Sequence, residues 1–213
     1  MGNLVFKNKD RVVFIGDSIT DCGRRESAVP FGSGYVKFTI DLIRAKYPER
    51  DITFFNRGIN GHSVEDLHGR WQDDVLTLKP DWVVVKIGIN DLHRTIMPNF
   101  TPIPPDKFRK FYIDILSQTK KKLNAKLVLI DPFFVSADFS DDYRGKVLKK
   151  LPEYLKVVKE MAETFKAIHV NTHYSFENHL KYKTVDYFCP EPVHPYPNGH
   201  IIIAYELLKK LKW

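Results

Sequence analysis

A chain of 213 residues can bury a substantial core, and 43% hydrophobic with 28% charged residues is the balance of a soluble globular protein. The net charge of +7 is spread over many segments, with no helix-turn-helix or zinc-finger spacing, so no nucleic-acid partner is expected. Cys22 and Cys189 are the only cysteines and form no CxxC pair, so neither a zinc site nor a disulfide framework is indicated, although a single bridge stays open.

Residues 12–15, within a strand-like stretch over 11–15, form a mostly β-branched apolar run that reads as buried and breaks at Gly16 into a polar turn. Similar runs follow at 52–56, 82–87, 126–130 and 168–171. Helical periodicity lies between them. Tyr35, Phe38, Leu42 and Ile43 share a stripe that Pro48 ends. Val64, Leu67, Trp71, Val75 and Leu78 form the next, with Ser63 as N-cap and Pro80 as stop. Further stripes run through Phe108–Leu123, Tyr154–Phe165 and Ile201–Leu211. Residues 97–105, with four prolines, and 132–142 read as loops. Strands alternating with helices predict a three-layer α/β/α sandwich around a five-stranded parallel sheet in flavodoxin-like order, one domain over residues 1–213. No apolar run reaches membrane length and no signal-peptide core precedes the first strand, so a cytoplasmic protein without a membrane partner is expected.

In an open parallel sheet, chemistry gathers at the carboxyl ends of the strands. Ser18 follows the first strand there, either as a nucleophile or as a simple cap of the next turn. The second strand leads into residues 56–63, where Gly61 either offers a backbone N–H to an anion or only makes the turn. After the third strand comes Asn90, whose amide suits an oxyanion as readily as a turn. Near the C-terminus, Glu191 precedes His194 by three residues in a proline-stiffened loop. A carboxylate there can orient the imidazole as a general base, or form an exposed ion pair.

The order Ser…Gly…Asn…acid–His resembles that of the SGNH or GDSL hydrolases. Gly16-Asp17-Ser18 matches their first block, Gly61 within residues 56–61 the second, Gly88-Ile89-Asn90-Asp91 the third and His194 the fifth. Residues 16–24 (GDSITDCGR), 32–36 (GSGYV) and 79–83 (KPDWV) are similar to the intracellular acetyl-xylan esterase branch. The resemblance implies a serine esterase acting on small acetylated carbohydrates without metal or cofactor. Ser18 would be nucleophile and His194 base, with an oxyanion hole made by Ser18, Gly61 and Asn90. A lysophospholipase or thioesterase of the same superfamily is the alternative within it. The usual acid is Asp; here Glu191 holds its place, with Asp186 as substitute candidate. A homo-oligomer is left open. Trp71, Phe133 and Phe134 are candidates for stacking on sugar rings, with core packing as the alternative.

Two rivals lie outside the superfamily. A metallophosphoesterase could use Asp17, Asp21, Asn90, Asp91, His194 and His200, but lacks the D-x-H pattern near the first strand. A non-catalytic flavodoxin-like module would leave Asn90 and the Glu191–His194 pair without a role.

Overall fold

The first strand, β1 (Arg11–Gly16), lies inside the sheet between two others because both of its faces are apolar: Val12, Val13, Phe14 and Ile15 are all fully buried. The computed structural model describes residues 4–213. After β1 come α1 (Ser18–Asp21), α2 (Tyr35–Lys46) and β2 (Thr53–Gly58). β2 alternates buried and accessible residues, as suits a strand paired on one side only. The chain continues through α3 (Val64–Trp71), a π-helical turn (Gln72–Leu76), β3 (Trp82–Lys86), α4 (Ile89–Ile96), α5 (Pro105–Lys122) and β4 (Lys126–Ile130). It ends with α6 (Asp142–Thr164), β5 (Ile168–Val170), α7 (Thr172–Leu180), α8 (Val185–Phe188) and α9 (Pro197–Lys210).

The five strands pair in the order β2-β1-β3-β4-β5, every pair parallel. This is the predicted flavodoxin-like arrangement. α2 packs on α9 and α9 on α7, while α5 joins α3 to α6, so two helical groups enclose the sheet. Register brings the carboxyl ends level: Gly16 stands beside Gly58 and Lys86, and Lys86 beside Ile130. Trp71, Phe133 and Phe134 are at most 1% exposed, so they are core and do not meet a ligand.

The structure differs from the expectation in three respects. The stripe over 64–78 is one run of helical backbone, but it changes from α to π after Trp71. Thr77 N–H bonds to Gln72 O, an i to i+5 closure, and the extra residue lets Val75 and Leu76 both turn inward. α6 begins at Asp142, capped by Asp141, twelve residues before the predicted stripe, and carries Pro152 inside it. Buried Val147, Leu148 and Leu151 hold that first half to the core despite the lost backbone bond. α4, α7 and α8 lie in segments where no helix was predicted. Among the described residues, no helix is long and apolar enough to cross a membrane.

Candidate active site

β1 stops where Gly16 passes close to β3: a Cβ there would lie 2.2 Å from Lys86 O. Asp17 then turns extended, and its Oδ1 accepts from Ile19 N at 3.1 Å, capping the short helix α1. Ser18 is the first residue of that turn, so its N–H has no intrahelical acceptor. Asn56, buried on β2, braces the turn from below by donating to Thr20 O and Phe31 O at 2.6 and 2.8 Å.

The loop after β2 supplies Gly61 at φ +74°, a conformation that favours glycine. Arg94, from α4, clamps this loop: it donates to Gly61 O at 2.9 Å, Ser63 Oγ at 3.1 Å and Asp66 Oδ2 at 2.9 Å. Ser63 and Asp66 form a capping box at the start of α3. Asn90, in the first turn of α4, donates from Nδ2 to His62 O at 3.0 Å. An amide nitrogen carries two hydrogens, so this bond leaves one for another acceptor.

Opposite these lies the stretch between α8 and α9. His194 Nε2 is 2.8 Å from Ser18 Oγ, and His194 Nδ1 is 2.5 Å from Glu191 Oε1. Glu191 also accepts the backbone N–H of His194 on Oε1 and that of Val193 on Oε2, each at 2.8 Å. Partial burial pushes its carboxyl upward, but the bonds from the His194 ring and the two backbone N–H groups outweigh this and hold it below the usual range. Glu191 is therefore ionised at neutral pH, and its extra methylene is absorbed in a curl over the loop backbone. Asp186 sits exposed in the first turn of α8 and takes no part in this chain of contacts.

A pocket of about 560 Å³ opens over these groups, lined among others by Ser18, Asn60, Gly61, Asn90 and His194. Two more of its lining residues are Cys22, which the sequence did not mark as a site group, and His200, which it offered only as a metal ligand of the metallophosphoesterase rival. His200 is driven down to about 4 by burial, reinforced by the Lys86 and His194 charges. Its Nδ1 accepts from Tyr35 N at 3.2 Å, so Nε2 carries the proton and faces Cys22 Sγ at 3.6 Å. Cys22 and Cys189 are both free. Beyond His194, His93 is likewise lowered to about 4, mainly by burial, so two of the neighbouring imidazoles are neutral. Arg94 and His62 gave no local signal either, since their roles come from contacts about 30 positions away in the chain.

The arrangement is that of a hydroxyl, an imidazole and a carboxylate in hydrogen-bonded series, facing amide donors across a pocket. It can take a proton from an attacking hydroxyl and hold negative charge on an acyl oxygen. This chain belongs to the GDSL-like lipase/acylhydrolase family, whose model matches residues 14–202. More narrowly, it is 35% identical to an acetylxylan esterase of Geobacillus stearothermophilus over 214 residues, 95% of this chain and 94% of that one. A solved catalytic mutant of Axe2, an acetylxylan esterase from the same species, superposes with a TM-score of 0.89 at 33% identity, covering 98% of this chain and 96% of that one. LAE5, an α/β hydrolase enzyme from the metagenome of Lake Arreo in Spain, gives 0.88 at 28% identity, with 98% of each chain covered. Catalytic mutants of Axe2 are substituted at a serine, an aspartate and a histidine, the last two three positions apart.

Proposed function

We propose that this protein is a serine esterase that removes acetyl groups from xylo-oligosaccharides, with Ser18 as nucleophile, His194 as general base and Glu191 as its orienting acid. The observation that carries the reading is the unbroken series Ser18 Oγ–His194 Nε2 at 2.8 Å and His194 Nδ1–Glu191 Oε1 at 2.5 Å. The similarity to acetylxylan esterases supports the acyl group and the carbohydrate.

In this mechanism Glu191 keeps the Nδ1 proton in place, so Nε2 is free to accept the Ser18 proton. Ser18 Oγ attacks the acetyl carbonyl, and the carbonyl electrons move onto oxygen. That oxyanion is bound by the N–H groups of Ser18 and Gly61 and the Asn90 amide. The carbonyl re-forms as the C–O bond to the sugar breaks, and His194 passes its proton to the departing sugar oxygen, leaving an acetyl-enzyme. Water, deprotonated by His194, attacks next. The bond to Ser18 Oγ then breaks, Ser18 takes the proton back from His194, and acetate leaves.

The test compares p-nitrophenyl acetate with longer acyl chains in the presence of a chelator, followed by acetylated xylo-oligosaccharides. Chelator-resistant turnover that falls with acyl length, together with acetate release from the oligosaccharides, is the expected result. Preference for long acyl chains or thioesters, or no release from the oligosaccharides, contradicts the substrate class.

A further inference from the structure

Lys86 closes β3 in register with Gly16, and its side chain is wholly buried. A lysine there interrupts an otherwise apolar central strand, which sequence periodicity alone reads as core. Its ammonium lies 3.7 Å from Asp17 Oδ2, also wholly buried, and 4.7 Å over the Phe133 ring. Neither Lys86 Nζ nor Asp17 Oδ2 has a hydrogen-bond partner among the described residues. Burial lowers the lysine's proton affinity, and the charges of Asp17 and Asp131 work against that. An ion pair so desolvated is a poor source of stability compared with apolar side chains of the same volume. Its place directly beneath the Ser18 turn points to another role.

We infer that Lys86 is a positioning residue for Ser18 and acts through Asp17. Asp17 Oδ1 accepts from Ile19 N, the bond that shapes the first turn of α1. Among the described residues, its other oxygen has only the Lys86 ammonium to balance it. Without that cation, a carboxylate sealed from water takes up a proton, and the acid then turns to find an acceptor for its hydrogen. The cap on Ile19 loosens as it turns. Ser18 stands between Asp17 and Ile19 in the chain, so its hydroxyl and its N–H shift with the cap. Lys86 thus holds the nucleophile's geometry from one residue away, without touching the substrate. This inference rests on the reading of Ser18 as the nucleophile.

Four variants test it on p-nitrophenyl acetate: Lys86→Met, Asp17→Asn, the double variant Asp17→Asn/Lys86→Met, and Ser18→Ala, with kcat and KM taken per folded molecule. Lys86→Met is expected to lower kcat by about 10- to 100-fold with KM changed less than about twofold, because the loss falls on alignment and not on binding. The double variant, which restores a neutral pair, is expected to recover about tenfold over Lys86→Met. Wild-type kcat in Lys86→Met, or a double variant no better than Lys86→Met, overturns the inference. Should Lys86→Met fail to fold, the double variant is compared with Asp17→Asn, which leaves the lysine unpaired. Recovery of about tenfold supports coupling and equality overturns it. Turnover surviving in Ser18→Ala overturns instead the nucleophile reading, whatever the Lys86 variants do.

Discussion

On the nucleophile side of the site, Asp17, Ile19, Thr20 and Asp21 are at most 1% exposed, and the turn rests on strand ends aligned across three strands. On the base side, the side chains of His194 and Glu191 are 58% and 46% exposed, on a stretch without regular structure. The first side takes its geometry from the sheet: Gly16 permits the close approach of β3, and Asn56 props the turn. The second is held by one carboxylate accepting three bonds inside four residues, with Val135 N–H on Pro192 O tying the loop to the core. Such a local clasp depends on one residue. A sheet-borne turn spreads its support over many, so point changes should separate the two sides.

The largest effect is expected at the group both sides serve. Ser18→Ala should cut turnover of a short aryl ester by about 10³-fold or more without lowering the melting temperature, since it removes the proposed nucleophile and no core contact. Next comes the clasp. Glu191→Ala should lose about 10²- to 10³-fold in kcat, because the imidazole loses both its tautomer and its seat, while Asp186→Ala stays near wild type. Activity in Glu191→Ala and loss in Asp186→Ala would reverse the assignment of the acid. Asn90→Ala should cost about 10²-fold in kcat with KM little changed, as its amide is proposed to bind charge present only in the transition state. A change confined to KM would make Asn90 a substrate-positioning group.

The smallest effect concerns stability at acid pH on the buried side. His200 is lowered from 6.5 to about 4, first by burial, so the folded state refuses a proton that the unfolded chain accepts. The stability this contributes is full above pH 6.5 and is lost as pH falls toward 4. Urea unfolding at several pH values should show a loss of up to ~3 kcal/mol over that range, and a shallower one in His200→Gln. An unchanged slope in the variant would place the acid sensitivity elsewhere.

The same contrast governs what could be read from the chain alone. Strands appeared as apolar runs, and Ser18, Gly61 and Asn90 as polar breaks just after them, because parallel strands end where ligands bind. Glu191 and His194 were legible because their contact is local, three residues apart. What stayed hidden depends on long-range contact. Arg94 reaches Gly61 across 33 positions, and His200 meets Tyr35 across 165. Lys86 lies within the run 82–87 that reads as a buried strand, and no local pattern marks it out. The first half of α6 was masked by Pro152, a residue that usually ends a helix and here is carried by packing.

The central claim is that Ser18 carries the acetyl group in the middle of the reaction, and the most direct measurement is to catch it there. The protein is mixed with p-nitrophenyl acetate, quenched in acid within the first turnover, digested and examined by mass spectrometry. One acetyl group on Ser18 is the predicted result, with the label lasting longer in a His194→Ala variant acetylated by excess ester. Turnover with no acetyl-enzyme, or an acetyl group on another residue that forms and decays at the turnover rate, would contradict it.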